Sequence, residues 1–129
     1  MKGIVREYVD AWNRGDLNGV CGLFAPDAQV FGVLGSGGLD VARPIWKTLM
    51  GSFGMQLEIV GIVAEGNTVA VRFREFGTFR SEFRGVAPTG KSYEITAMEW
   101  FEFADGKVTK RWGARDSAAI SRQLGIPLS

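Results

Sequence analysis

Glu99 and Asp116 are the residues of this chain best placed to do chemistry. Residues 92–116 are two runs rich in β-branched and aromatic side chains on either side of Asp105-Gly106. That dipeptide tolerates the positive φ of primed turns, so it predicts a hairpin. On the first strand Tyr93, Ile95, Ala97, Glu99, Phe101 and Phe103 share a face, which sets one carboxylate in a largely apolar row. A buried, unpaired carboxylate is costly, so Glu99 is paired, wetted or functional. On the second strand Trp112, Ala114 and Asp116 share a face, which puts another carboxylate at that strand's mouth. The sequence has no histidine and one cysteine, which excludes serine-histidine and cysteine-histidine nucleophile pairs and the usual zinc cage. Acid–base work then falls to Asp, Glu, Tyr, Lys or water.

Each acid has a structural alternative. Asp116 acts as an acid–base if an apolar pocket raises its pKa, and otherwise caps the Ser117-Ala-Ala-Ile turn or pairs with Arg72 or Arg115. Glu99 is a pocket base, or it pairs with an arginine across the sheet, Arg72 or Arg74, while lining the pocket.

The elements that must position these groups are legible in order. Residues 3–13 carry Ile4, Val5, Tyr8, Val9 and Trp12 at helical spacing, with Gly15 ending the helix. Asp16 opens a second, short helix holding Leu17, Val20, Leu23 and Phe24, closed by Pro26; Cys21 reads as a small core residue. Residues 28–32 form a short strand, and the glycine-rich stretch 32–38 a mobile flap; lacking a Gly-Lys-Ser/Thr ending, it is not a phosphate cradle. Asp40 caps a third helix with Val41, Ile45, Trp46, Leu49, Met50 and Phe53. Residues 56–64 and 68–80 alternate as strands around Glu65-Gly66-Asn67. Helices first, then antiparallel strands, with one helix inserted after the first strand, give an α+β fold with one curved sheet wrapped over a helical layer.

At 129 residues with 46% hydrophobic and 22% charged side chains, one soluble domain with a real core is expected. A net charge of +1 argues against a general grip on nucleic acid or membrane, although Arg72, Arg74, Arg80 and Arg84 lie close in sequence. One cysteine, early charges at the amino terminus and no apolar run of spanning length predict a cytoplasmic protein.

Several segments then match a family. Tyr8-Val-Asp-Ala-Trp12-Asn-Arg-Gly-Asp16, Leu23-Phe-Ala-Pro26-Asp27, Ala87-Pro-Thr-Gly-Lys91, Phe101-Glu-Phe-Ala-Asp105-Gly-Lys107 and Trp112-Gly-Ala-Arg-Asp116, with Gln123-Leu-Gly125 behind them, resemble the SnoaL-like polyketide cyclases of the nuclear-transport-factor-two-like superfamily. The resemblance implies a conical α+β barrel around a deep apolar pocket, commonly in a homodimer packed through the sheets. It also implies cofactor-independent chemistry without a metal, in the range of cyclases, isomerases and hydrolases. The family's acid–base aspartate, four positions after the tryptophan, falls on Asp116, and Glu99 falls where relatives often place a pocket polar group. The histidines of typical members are replaced by Phe31 and Phe79, and the aspartate of epoxide-hydrolase-like relatives by Ala114.

The expected pocket wall is Tyr8, Trp12, Phe31, Trp46, Met50, Phe53, Phe79, Phe83 and Trp112, an aromatic excess suited to a flat hydrophobic ligand. Met98 and Trp100 make the outward face of the last hairpin too apolar for water, so Trp100 is read as a homodimer contact. The leading functional reading is an enzyme acting on a hydrophobic cyclic or aromatic substrate, with Asp116 moving a proton and Glu99 or Arg72 orienting the substrate. The alternatives are a non-catalytic binder of hydrophobic small molecules and a domain that recruits another protein through its sheet.

Overall fold

The computed structural model describes residues 1–127. Helix α1 (Lys2–Asn13) turns Val5, Tyr8, Val9 and Trp12 inward. Its carboxyl end is fixed to the sheet by side chains: Asn13 Nδ2 donates to the Leu57 carbonyl at 2.9 Å and its Oδ1 accepts from the Leu57 amide at 2.8 Å, as a neighbouring strand would. Trp12 Nε1 donates to the Met55 carbonyl at 3.0 Å. These bonds set the depth at which Tyr8 enters the interior.

Helix α2 (Leu17–Cys21) is shorter than the spacing of apolar residues predicts. Asp16 caps it by accepting from the Gly19 amide at 2.9 Å. Leu23 and Phe24 do not continue the helix, because Phe24 already pairs with Val108 in strand β1 (Phe24–Gly32), and Pro26 lies within that strand. The glycine-rich stretch is a small hairpin, in which β2 (Gly35–Gly37) folds back on β1 with Val33 and Leu34 at its tip. Helix α3 (Leu39–Phe53) starts from Gly38, so the expected cap Asp40 lies in its first turn, where a negative charge complements the helix dipole. At its end Gly54 takes φ +54° and donates its amide to the Met50 carbonyl, and Arg80 adds hydrogen bonds to the carbonyls of Met50 and Gly51 at 3.1 and 3.2 Å.

Strands β3 (Gln56–Glu65), β4 (Thr68–Thr78), β5 (Ser92–Ala104) and β6 (Lys107–Arg115) form an antiparallel run, and β1 joins β6 in parallel. The resulting six-stranded sheet runs β2-β1-β6-β5-β4-β3 and does not close. It is the expected α+β architecture, a curved sheet over the N-terminal helices. Helix α4 (Ser117–Leu124) follows β6 directly.

The core lies between the sheet's concave face and α1 and α3. Tyr8 meets Phe101 edge-on at 5.2 Å, and Trp46 packs against Trp12 at 6.0 Å and Phe24 at 5.3 Å. Such pairs add about 0.5–1.5 kcal/mol each beyond their buried area. On β5 the expected inward row from Tyr93 to Phe103 is buried throughout, Glu99 included. Among the described residues, no helix is long and apolar enough to cross a membrane.

Candidate functional site

A chamber of about 40 Å³ opens between α1, α3, the tip of the β1–β2 hairpin and the middle of β5 and β6. Tyr8, Trp12, Trp46 and Leu49 supply its apolar wall, and Glu99, Arg111 and Arg115 its charges. Glu99 and Gly113 are direct cross-strand partners, with Arg111 two residues before Gly113 on the same strand. Arg111 folds back over Gly113 to reach Glu99. A Cβ at Gly113 would collide with its guanidinium, so the missing side chain is what admits the contact.

The pair is buried, with side-chain exposures of 8% for Arg111 and 7% for Glu99, and Arg111 Nη1 stands 3.3 Å from Glu99 Oε1. The same oxygen accepts from the Tyr8 hydroxyl at 3.0 Å. Glu99 Oε2 accepts no hydrogen bond among the described residues. Arg111 Nε is buried without a partner, while its guanidinium sits 5.7 Å from the Trp46 ring centre. Burial raises the Glu99 pKa above the ordinary carboxylate range, and Arg111 and Tyr8 only partly offset it. Burial and the neighbouring Glu99 push the Tyr8 hydroxyl well above its usual value, so it remains a donor. The site therefore holds a desolvated carboxylate with one free oxygen next to a buried cation with one free N–H.

A second buried acid stands nearby. Glu75 is completely buried and accepts from Arg115 Nε at 2.9 Å, from Arg115 Nη2 at 2.6 Å and from the Tyr93 hydroxyl at 2.7 Å. Burial alone would lower the Arg115 pKa, but the charge and hydrogen bonds of Glu75 together with Tyr93 outweigh it and the net shift is upward; the Tyr93 hydroxyl rises through burial and the same carboxylate.

The expected site residues separate into groups. Tyr8, Trp12, Trp46 and Glu99 meet in the chamber. Phe53 and Phe83 line an adjoining lobe, and Phe79 is core, packed 5.2 Å from Phe53. Five positions need correction. Asp116 is exposed and caps α4, accepting from the Ala119 amide at 3.0 Å, so it is not a chamber residue. Arg72 is exposed on the convex face, opposite Met98, because its strand buries Val69, Val71, Phe73 and Glu75. Phe31 and Trp112 stack on each other at 5.1 Å, also on that outer face. Met50 lines a groove between α2 and α3 with Leu17 and Arg43.

The expected partners of Glu99 were Arg72 or Arg74; the partner is Arg111, and Arg74 bonds Glu94 at 2.8 Å and Glu58 at 3.3 Å. Arg111, Arg115 and Glu75 are the site residues sequence reading missed. Continuing the Val69-Val71-Phe73 alternation by one step places Glu75 inside. No such signal exists for Arg111, because Thr109 is an extra residue opposite the Glu102–Phe103 step and inverts the parity of the strand.

Comparison with known proteins agrees with this fold. The sequence profile of the SnoaL-like polyketide cyclases matches residues 2–124. The chain is 29% identical over 128 residues to aklanonic acid methyl ester cyclase AcmA of Streptomyces galilaeus, an alignment that covers 95% of this chain and 89% of AcmA. Among solved structures it is similar to AclR of Streptomyces galilaeus, a proposed hydroxylase, at 31% identity and TM-score 0.88, over 98% of this chain and 96% of AclR. It is also similar to IdmH of Streptomyces antibioticus, a proposed polyketide cyclase, at 28% identity and TM-score 0.85, over 97% of this chain and 98% of IdmH.

Proposed function

We propose that this chain, which belongs to the SnoaL-like polyketide cyclase family, is a cofactor-independent cyclase-type enzyme that moves a proton next to a carbonyl of a hydrophobic cyclic or aromatic substrate. The observation that carries the reading is the half-satisfied Tyr8–Glu99–Arg111 cluster. Glu99 Oε2 takes a proton from the carbon beside the carbonyl, and the C–H electron pair moves onto the carbonyl oxygen as an enolate. An Arg111 N–H meets that oxygen in a site largely free of water. The enolate carbon then bonds to a second carbonyl of the same substrate, and protonated Glu99 returns its proton to the new alkoxide. Tyr8 holds the carboxylate in place. The raised pKa of Glu99 strengthens it as a base, and the acidic limb of the rate profile should lie above the ordinary glutamate value of about 4.3. Carboxyls shifted by burial beside a specific charge partner cluster at functional sites, which supports the assignment.

The test is hydrogen–deuterium exchange at the α-carbon of a small diketone, acetylacetone, followed by NMR. Wild type should accelerate the exchange, and Glu99→Asp, which withdraws the carboxylate by one methylene, should slow it by about 10²-fold or more. Exchange no faster than in buffer sinks the proposal. A second reading, a non-catalytic binder, is favoured by one observation: Glu99 is already paired with Arg111 rather than standing free. That reading expects tight apolar ligands and no exchange.

Two accompanying proposals concern the molecule's surroundings. The convex face exposes Val63, Met98, Trp100 and Trp112 in one apolar groove, which supports a homodimer packed there. The lone, half-buried Cys21 supports a reducing, cytoplasmic location.

A further inference from the structure

The chamber around Glu99 is small for the substrate just proposed. At about 40 Å³ it holds a few waters, or a carbonyl with its α-carbon, and the rest of a cyclic molecule needs other space. Across Leu34, Leu49 and Arg115, which line both spaces, lies a second lobe of about 130 Å³. Its walls include Phe53, Phe83, Val86 and Ile120, and Arg84 stands among its lining residues. Phe53 and Phe83 meet at 4.9 Å with their planes 58° apart, so the lobe is bounded by aromatic rings on one side and the α4 side chain Ile120 on another.

Arg84 distinguishes this lobe from leftover space. Phe83 and Val86 bridge each other, and the two residues between them, Arg84 and Gly85, take φ of +49° and +80°. Those are the central positions of a primed turn, where Gly, Asn and Asp are favoured and arginine is strained. The strained residue extends an exposed guanidinium back over the lobe: it lies 5.4 Å from the Phe83 ring centre, and Nη2 donates to the Leu34 carbonyl at 3.3 Å. Arg115, the other cation lining the lobe, is held by Glu75 through Nε and Nη2, and Arg80 nearby is engaged with the end of α3. Arg84 is therefore the cation at the lobe that can turn to a ligand, having given up one long hydrogen bond.

We propose that this lobe is a second subsite of the Glu99 chamber, which takes the far ring of the substrate between Phe53, Phe83 and Ile120 and meets an acidic oxygen on that ring, a carboxylate or phenolate, with Arg84. The inference rests on the Glu99 chamber as the reacting site. It also assigns a substrate shape: an enolisable carbonyl at one end, an apolar ring system, and an anionic oxygen at the other.

The probe 6-acetyl-2-naphthoate has that shape, 2-acetylnaphthalene lacks the anion, and acetylacetone lacks the ring. Dissociation constants are measured by titration calorimetry for wild type, Arg84→Gly and Val86→Trp. Glycine suits a positive φ, so Arg84→Gly should fold at least as well as wild type. It should weaken 6-acetyl-2-naphthoate by about tenfold or more, the worth of a charge-assisted hydrogen bond, and leave 2-acetylnaphthalene within about twofold. Val86→Trp fills the lobe and should weaken both naphthalenes. Wild type that fails to bind 6-acetyl-2-naphthoate, or variants that bind it as wild type does, overturn the subsite. Tight binding that responds to both variants, with no exchange at the acetyl group, supports the subsite and instead removes the catalytic role of Glu99.

Discussion

Removing the two ends of the Glu99–Arg111 pair one at a time should give penalties of similar size at neutral pH but different pH dependence. Both side chains are more than nine-tenths buried, so breaking the pair leaves an uncompensated charge, at a cost of about 3–5 kcal/mol. After Glu99→Gln the remaining charge is a guanidinium, which stays protonated at any working pH, so this site gives the variant no relief on acidification between pH 7 and 5. After Arg111→Met the remaining group is a carboxyl whose pKa is already raised, and it can neutralise itself. Its cost is then capped by the work of protonating glutamate from about 4.3 to the ambient pH: about 3.7 kcal/mol at pH 7 and about 1 kcal/mol at pH 5. The sign follows from the direction of the shift. A carboxyl whose folded pKa exceeds its unfolded value favours the fold below the unfolded value, and loses that contribution as pH rises through the folded one. Arg111→Met should therefore regain more than 2 kcal/mol on acidification, relative to Glu99→Gln. The double variant Glu99→Leu/Arg111→Met should lie within about 1 kcal/mol of wild type or above it. Urea unfolding of all four proteins at both pH values measures this, with unchanged slopes confirming that the folded state is comparable. An Arg111→Met penalty that does not move with pH, or a Glu99→Gln penalty below about 1 kcal/mol, would refute the view that this pair is dry and mutually dependent.

Three other outcomes are expected. Gly113→Ala should push the Arg111 guanidinium off Glu99, moving the acidic limb of the exchange rate upward because the carboxylate loses a positive neighbour; an unchanged limb would mean the arginine does not need that gap. Asp116→Ala removes the α4 cap and should cost about 0.5–2 kcal/mol in thermal or urea unfolding, with the exchange rate and its pH limb unmoved; a lost rate with intact stability would return Asp116 to the site. Trp100→Asp on the convex face should convert a dimer to a monomer in sedimentation velocity without altering exchange, and a wild type that sediments as a monomer at micromolar concentration removes the proposed interface.

The architecture was readable because its signals were local. Asp105-Gly106 between two alternating runs could only be a hairpin, and Asp105 takes φ +52° as a primed turn requires. Val5, Tyr8, Val9 and Trp12 could only be one face of a helix. Glu99 was found because alternation on β5 is uninterrupted, so parity alone placed it inside. The same rule misplaced Trp112, for two physical reasons. The bulge at Thr109 inverts parity partway along β6, and the convex face is itself apolar, so hydrophobicity no longer distinguishes inside from outside. With Trp112 read as inward, strict alternation leaves Arg111, Gly113 and Arg115 on the opposite face, away from the two acids they serve. Asp116 carried two equivalent signals, a family position and a cap, and only its hydrogen bond to Ala119 separates them.

The two buried glutamates show why one of them is the candidate for chemistry. Each has a tyrosine donor and an arginine, so composition does not tell them apart. Glu75 has both oxygens engaged, the guanidinium reaching it through Nε and Nη2 at 2.9 and 2.6 Å and the tyrosine at 2.7 Å. Such an arrangement compensates the cost of burying the charge, and it leaves neither oxygen free of a protein partner. Glu99 puts all its contacts on one oxygen, at 3.0 and 3.3 Å, and its arginine keeps an unpartnered N–H. A buried network left half satisfied costs stability, and folding alone gives no reason to retain it, since filling the gap would stabilise the chain. A substrate carbonyl, with an acidic C–H on one side and an acceptor oxygen on the other, completes both missing contacts at once. On the proposed reading Arg115, held by Glu75, forms part of the chamber wall, and the chemistry is assigned to Glu99 because it is the buried acid with an oxygen that accepts no hydrogen bond among the described residues.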